Sequence, residues 1–195
     1  MEGAREKALK GDLRFGTVDT FLLWHLSGEQ LHKTDVTNAS RTNIFNIYSM
    51  EWDQELLNIF DIPASMLPEV CSSDAEFGLL SRKGSTISIT SMIGDQQSAL
   101  VGQECFNYGD MKATFGTGCF LMVNSGQKPQ SSKSGLLSTV GYGLQGSISY
   151  ALEGSIFSAG TTIQWLRDNM KFFKDSHNSI EFLSSLGESN GVLFI

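Results

Sequence analysis

Residues 93–103 read Ile-Gly-Asp-Gln-Gln-Ser-Ala-Leu-Val-Gly-Gln and place a single carboxylate, Asp95, at the start of a segment suited to a helix. An apolar, β-branched segment containing Ile87, Ile89 and Ile93 precedes it and predicts a strand. We therefore expect Asp95 where a strand opens into a helix, a common location for catalytic groups in α/β proteins. An Asp at this place can also be a simple helix N-cap, so this stretch alone leaves both interpretations open.

A second stretch, residues 115–120, reads Phe-Gly-Thr-Gly-Cys-Phe. Small residues inside a strand-like segment let backbone N–H groups approach a ligand closely, and the Thr117 hydroxyl adds a polar contact. The same tripeptide also occurs in hairpin bends and bulges that bind nothing. A carboxylate combined with a phosphate-binding loop indicates a phosphotransferase, the hypothesis that unites the two stretches.

Composition predicts a globular protein. The chain has 195 residues, 41% of them hydrophobic and 18% charged, which suits a folded core better than a disordered segment. The net charge of −7 and the absence of a basic run argue against a nucleic-acid partner. Every apolar run is shorter than the ~18 residues of a membrane-spanning helix, so no membrane segment is predicted.

The cysteines Cys71, Cys105 and Cys119 lie far apart, without metal-ligand spacing. Their odd number, in a chain without a signal peptide, indicates a reducing compartment, and we expect a cytoplasmic protein. Cys119 has no neighbouring His, which favours a buried, apolar role over a nucleophilic one.

Helix signals occur in the first half of the chain. Thr17 is a candidate N-cap for a helix with a predicted core face, and Asp53 is a candidate N-cap for a shorter one. That predicted core face consists of Val18, Phe21, Leu22, Trp24 and Leu26. Residues 2–11 show no apolar face and are expected to continue something upstream.

Strand signals dominate after residue 110. A hairpin is predicted from 111–115 and 120–124, and further strands at 135–142 and 145–152, giving an expected three antiparallel strands followed by a helix. That helix is expected to start near Ser155, with Gly160 in its interior.

The final residues predict a second helix at 172–188 and a strand at 191–195 whose pattern continues to the last residue. A terminal strand of this kind suggests a fragment of a longer protein.

Arg41 lies in a predicted loop of small and hydroxylated residues, 34–42. It can serve as an anion contact or as a donor that staples the loop to carbonyl groups or to a carboxylate, and we favour the staple.

Several sequence blocks resemble the carbohydrate-kinase family named for its Phe-Gly-Gly-Tyr (FGGY) signature, and within it the glycerol kinases. The resemblance covers nearly the whole chain. The blocks are residues 94–103, 115–120, 15–20, 37–42 and 151–168.

This resemblance implies an α/β, ribonuclease-H-like fold of the actin and hexokinase ATPase type, with parts of two domains flanking a cleft. Residues 1–103 would be the C-terminal part of the first FGGY-kinase domain, and residues 104–195 the N-terminal part of the second. The chain would then be an internal fragment, and whether its parent is a homo-oligomer stays open.

The resemblance also implies an activity, the ATP-dependent phosphorylation of glycerol to glycerol 3-phosphate. Asp95 would be the general base and would bind the substrate together with Gln96, which orients the polyol, and Phe120, an apolar wall against its carbon chain. The implied nucleotide-binding residues are Thr117, Gly118, Gly160 and Gln164. Mg²⁺ is expected, coordinated largely through phosphate and water, so no metal-binding residue is assigned.

Two alternatives remain. A kinase of another polyol or sugar in the same family would keep the same machinery, although Phe120 and the Gln96–Gln97 pair favour glycerol. A non-catalytic fragment or binding module would keep the fold alone, against which the retention of Asp95, Gln96 and Phe120 argues.

Overall fold

The computed structural model describes residues 3–28, 31–82, 84–175, 184 and 191. The helices are α1 (Ala4–Leu9), α2 (Val18–Leu26), α3 (Val36–Ala39), α4 (Gln54–Ile59), α5 (Asp95–Gly102) and α6 (Gly160–Asp168), and a 3₁₀ turn spans Ala64–Met66. The strands are β1 (Lys33–Asp35), β2 (Phe45–Asn46), β3 (Glu51–Trp52), β4 (Glu69–Cys71), β5 (Gly78–Arg82), β6 (Ser85–Ile89), β7 (Met111–Phe115), β8 (Cys119–Gly126), β9 (Leu137–Leu144) and β10 (Ser147–Ile156). The mixed α/β content agrees with the expected fold class.

The largest sheet has the strand order β7-β8-β10-β9. It contains one strand more than expected, because both strands of the predicted hairpin join it. Strands β9 and β10 are antiparallel, and they are linked by Gln145 and Gly146 with φ of 52° and 75°. Two successive positive φ values match the twist of a tight hairpin, and Gly146 adopts its value without a side-chain clash.

The smaller sheets are strand pairs. Strands β1 and β4 are parallel, with Asp35 opposite Cys71, whereas β2–β3 and β5–β6 are antiparallel. The parallel pair fixes the end of β1, where the polypeptide turns into α3.

Helix α5 packs on the sheet through its apolar side. Leu100 is fully buried in a cluster that includes Met122 and Tyr142, and a side chain buried in this way contributes about 2 kcal/mol. Beneath it the buried Asn124 side chain donates to the Cys105 carbonyl at 2.9 Å. This packing holds α5, and therefore Asp95 at its first residue, on a rigid support.

Two further clusters complete the core. Val36, Val140 and Tyr150 form one, in which the Tyr150 hydroxyl donates to the carbonyl of Ile47 at 2.7 Å. The other consists of Ile44, Leu57 and Leu67.

The chain divides into two compact units. The first comprises residues up to Lys112 together with Leu121–Gly154, and the second comprises Ala113–Phe120 together with the segment that starts at Ser155. The domain boundary near residue 103 remains a prediction.

The predicted core face of α2 is wrong. Thr20 and Leu23 are the buried residues of this helix, whereas the Val18 side chain is 70% exposed and that of Phe21 is 59% exposed. Apolar side chains surround most of α2, so their periodicity could not identify the side facing β1. The Asp19 carboxylate marks that side, since it accepts from the Thr34 hydroxyl at 2.7 Å.

The described part of segment 2–11, for which the sequence shows no apolar face, packs against the rest of its unit. Helix α1 lies within this segment, Ala8 is buried, and its carbonyl accepts from the Ser65 hydroxyl at 2.9 Å. The buried Ala8 and the hydrogen bonds that Arg5 donates to Asp61 dock this short helix, and neither produces a periodic apolar pattern in the sequence.

The helix predicted to start near Ser155 also begins later than expected. Strand β10 continues to Ile156, so α6 begins at Gly160, which is its first residue and not its middle. Residues 172–175 are not helical and residue 184 is, whereas the other positions of the predicted helix 172–188, like most of the predicted strand 191–195, lie outside the described residues.

Candidate active site

Asp95 is the first residue of α5, after Gly94 at the N-cap position. Strand β6 ends at Ile89, so an irregular segment separates the strand from the helix. The Asp95 side chain is exposed, and its Oδ1 accepts from the backbone N–H of Gln96 at 2.7 Å. Within the described part of the chain no group donates to its Oδ2, which leaves that oxygen able to accept a proton from a ligand.

The segment before Asp95 is anchored by α3. The hydroxyl oxygen of Thr37 accepts from the N–H of Gly94 at 2.8 Å, and the same hydroxyl lies 2.8 Å from Oδ2 of Asp35, to which it donates. A single side chain thus connects the residue before Asp95 to a carboxylate inside the core.

Asp35 is fully buried and accepts hydrogen bonds from several directions. Donors to its carboxylate include the Ser73 hydroxyl at 2.7 Å, and the backbone N–H and side-chain amide of Asn38 at 2.9 and 2.8 Å. A buried carboxylate requires hydrogen-bond donors, because burying it without them would cost several kcal/mol of folding free energy. The loop predicted at residues 34–42 instead contains the end of β1 and the whole of α3.

Gln96 and Gln97 have different environments. The Gln96 Oε1 accepts a hydrogen bond from the ammonium group of Lys112, whose side chain is 1% exposed. Gln97 is buried and donates to the Val140 carbonyl at 3.4 Å, which makes its role structural. Of this pair, only Gln96 remains a candidate ligand contact.

In the second unit, the Gly116-Thr117-Gly118 turn caps the start of α6. The carbonyl of Gly116 accepts from the Gly160 N–H at 3.0 Å, and that of Thr117 accepts from the Ala159 N–H at 2.8 Å. These bonds satisfy N–H groups that a helix start leaves without an intrahelical partner.

Two glycines are required by this close approach. A Cβ atom on Gly160 would lie 2.5 Å from the Gly116 oxygen, and a Cβ on Gly118 would lie 2.6 Å from the Ile156 oxygen. Backbone packing against the turn therefore explains Gly160.

The turn keeps donors available. Among the described residues, no acceptor is recorded for the N–H groups of Thr117 and Gly118, and the Thr117 side chain is exposed. Gln164 is exposed on α6 one turn after Gly160, and Phe120 is half-buried in β8. Two adjacent N–H groups and a hydroxyl are suited to the oxygens of a phosphate.

Arg41 is a structural staple, as predicted. Its guanidinium donates to both carboxylate oxygens of Glu153, at 2.6 and 3.2 Å, and the Glu153 side chain is 4% exposed. The paired geometry joins the loop after α3 to strand β10.

Cys71 and Cys105 do not lie in environments that would activate a thiol nucleophile. Burial raises the pKa of the Cys105 thiol, and burial together with the nearby Glu69 carboxylate raises the pKa of Cys71, so both stay protonated near neutral pH. Within the described ranges, no group of three His, Cys, Asp or Glu side chains is placed to hold a metal ion. In the same ranges, no helix has the length and apolar character needed to cross a bilayer.

The predicted site residues thus fall into two groups. Asp95 and Gln96 are adjacent at the start of α5 in the first unit. The turn and the first part of α6, in the second unit, bring together Thr117, Gly118 and Gly160, with Gln164 further along α6 and Phe120 near the start of β8.

Comparison with known proteins gives consistent matches along the chain. Residues 2–102 match the N-terminal domain of the FGGY family of carbohydrate kinases, and residues 111–191 match the C-terminal domain of that family. Glycerol kinase 1 of Pseudomonas aeruginosa is 54% identical over 99% of this chain, and glycerol kinase of Alteromonas mediterranea is 54% identical over all of it.

A solved structure agrees with these matches. The crystal structure of Plasmodium falciparum glycerol kinase with ADP is similar over 93% of this chain, with a TM-score of 0.86 and 38% identity, and the match covers 37% of that chain. The chain spans about 40% of the length of the two bacterial relatives.

Proposed function

Because the chain belongs to the FGGY family of carbohydrate kinases, we propose that the protein containing it transfers the γ-phosphoryl group of ATP to glycerol and forms glycerol 3-phosphate. The observation that carries the proposal is the exposed Asp95 carboxylate at the first residue of a helix that is packed on a sheet. The similarity to glycerol kinases, at 54% identity, indicates glycerol as the substrate.

Asp95 is the general base in this proposal. Phosphoryl transfer requires little covalent chemistry from the protein, so positioning and proton removal are its main tasks. Oδ2 accepts the proton of a terminal glycerol hydroxyl as the hydroxyl oxygen attacks the γ-phosphorus atom of ATP; the bond from that phosphorus to the β,γ-bridging oxygen breaks, and ADP leaves. The bond between Gln96 N–H and Oδ1 fixes the carboxylate so that Oδ2 is presented.

Gln96 and Phe120 recognise the polyol. The side-chain amide of Gln96 binds a hydroxyl group, and the half-buried ring of Phe120 provides apolar contact for the carbon chain. A small polyol offers both kinds of surface, which is why this pair favours glycerol over a larger, more hydroxylated sugar.

The second unit binds the nucleotide. The N–H groups of Thr117 and Gly118 and the Thr117 hydroxyl donate to phosphate oxygens, where they stabilise developing negative charge. Gly160 lets α6 approach the turn, and Gln164 on the exposed side of α6 lies along the nucleotide. The N–H groups of Thr117 and Gly118, which have no acceptor among the described residues, are the structural feature that suits a phosphate.

Magnesium accompanies the nucleotide. When bound, Mg²⁺ neutralises charge on the phosphates. An ion that keeps most of its water and binds phosphate oxygens needs few protein ligands.

The proposal extends to organisation and location. We assign residues 1–103 to the end of the first kinase domain and 104–195 to the beginning of the second. The three free cysteines suit the cytosol, where we place the activity.

One assay tests the function. The full reading frame that carries residues 1–195 is expected to produce glycerol 3-phosphate from glycerol, ATP and Mg²⁺, with xylulose, gluconate and erythritol as competing substrates. A preference for any of these over glycerol would favour the other-sugar alternative. Absence of turnover with every substrate would favour a non-catalytic module. The 195-residue chain alone, tested in parallel, is expected to be inactive.

A further inference from the structure

We propose that Lys112 is a positioning residue that sets polyol specificity by fixing which end of the Gln96 amide faces the substrate. The inference rests on the proposed function and adds a residue to which neither the sequence nor the comparisons assign a role. It arises from one juxtaposition: a buried ammonium group against the amide oxygen of a candidate substrate-binding side chain.

The first step concerns burial. Lys112 is the second residue of β7, and its side chain is 1% exposed, although lysine is almost never fully buried without a partner. Transferring an ammonium group out of water is costly, so the hydrogen bond to Gln96 is a compensating interaction rather than an incidental surface contact.

The second step concerns direction. An ammonium group carries donors only, whereas a glutamine amide carries an acceptor oxygen at one end and two N–H donors at the other. The amide of Gln96 must therefore turn its oxygen towards Lys112. Its Nε2 group is left as the end that can meet a ligand, and that end can only donate.

The third step concerns selectivity. A donor held in place recognises a hydroxyl oxygen, and a site built to bind a hydroxyl rejects an analogue that lacks it more strongly than a freely rotating amide would. Without Lys112, the Gln96 amide could present either end. Glycerol would lose part of its advantage over deoxy analogues, while the Asp95 base would be unaffected.

The test compares Lys112→Met with the unaltered protein, in the full reading frame, on glycerol and on propane-1,2-diol and propane-1,3-diol. Methionine keeps an unbranched side chain of similar length and removes the donors. We expect KM for glycerol to rise about 10-fold, the loss of roughly one hydrogen bond, with kcat changed less than about 3-fold. The ratio of kcat/KM for glycerol to kcat/KM for the diol that lacks the recognised hydroxyl should fall by a similar factor.

A double-mutant cycle separates positioning from general damage. In a Gln96→Leu background, Lys112→Met should raise KM for glycerol no further, because the amide it orients is gone. Lys112→Gln, which retains a donor, should recover part of the affinity. Lys33→Met is the matched control: this half-buried lysine pairs with Glu69 at 3.8 Å and should leave both KM and selectivity unchanged.

A measurement on the unaltered protein covers the case in which the Lys112 variants do not fold. In ¹⁵N spectra, saturating glycerol should shift the side-chain N–H signals of Gln96, assigned by their loss in Gln96→Leu. Unshifted signals, or an active Lys112→Met enzyme with unchanged KM and selectivity, would overturn the inference. Failure of the unaltered protein to phosphorylate glycerol would instead remove the proposed function.

Discussion

The hydroxyl of Thr37 accepts the N–H of Gly94 at 2.8 Å, although the two residues lie 57 positions apart in the chain. Through Asp35, to which Thr37 donates, this bond connects the residue before the candidate base to the buried core. The position of Asp95 therefore depends on a residue that contacts neither Asp95 nor any proposed ligand group.

Thr37→Val tests this dependence. It keeps the shape of the side chain but removes the acceptor for Gly94 and a donor to Asp35, so we expect a loss of about 1–3 kcal/mol of unfolding free energy. We also expect kcat to fall, because Gly94 loses the hydrogen bond that holds the segment before Asp95. Denaturant unfolding and steady-state assays measure the two effects. Thr42→Val removes a donor to the Ala39 carbonyl and an acceptor for the Ile44 N–H, neither of which holds Gly94, and it is the control; equal loss of turnover in both variants would refute a specific role for Thr37.

Asp95→Asn tests the general base. The carboxylate is exposed and its one recorded bond is local, so the fold should persist while kcat falls by about 10²- to 10⁴-fold, the usual contribution of such a base. Asp53→Asn serves as control, because Asp53 caps α4 by accepting from Glu55 and Leu56, and asparagine caps almost as well. A near-normal kcat in Asp95→Asn would show that Asp95 only begins helix α5 and is not the general base.

Phe120→Ala tests the polyol wall. The half-buried ring contributes apolar contact to the substrate carbon chain, so KM for glycerol should rise about 10-fold, consistent with losing part of an aromatic contact, while KM for ATP changes little. Initial-rate measurements with each substrate varied give both constants. Phe157→Ala, at an 83% exposed phenylalanine of the same unit, should change neither. Equal losses for glycerol and ATP would indicate collapse of the turn instead.

Gly160→Ala tests the close approach between α6 and the turn. The new Cβ would meet the Gly116 oxygen at 2.5 Å, so backbone atoms must move, and we expect affinity for ATP to fall more than affinity for glycerol. Isothermal titration with each ligand measures this. Gly102→Ala, in a helix with nothing within 4 Å of the added atom, should be tolerated. Unchanged nucleotide binding in Gly160→Ala would exclude the turn geometry from the nucleotide site.

Arg41→Met tests the staple to Glu153. Removing the guanidinium deprives a buried carboxylate of its cation, and because Arg41 is partly exposed we expect about 1–3 kcal/mol of destabilisation rather than the full value for a buried pair. Arg41→Lys should retain part of the stability that Arg41→Met loses, since lysine keeps the charge but cannot donate in the same paired geometry. Thermal unfolding measures both variants. Arg167→Met, which removes an ion pair near the surface, should have little effect, and a similar loss there would contradict the argument.

The sequence by itself determined the features that depend on neighbouring residues. The start of α5 at Asp95, the cap at Asp53, the β9–β10 hairpin and the strands of the large sheet follow from turn residues and apolar patterns within a few positions. The resemblance of longer blocks determined the family. Even Arg41 was interpreted correctly as a staple, because a lone arginine among small polar residues needs an acceptor.

The tertiary structure decided the features that depend on distant pairings. The buried network at Asp35, the approach of Gly160 to Gly116 and the burial of Lys112 each join residues far apart in the chain, and no local pattern reports such pairs. The buried side of α2 was missed for the same reason. Periodicity identifies a helix face only when the faces differ, whereas burial is decided by the element that packs against it, here β1.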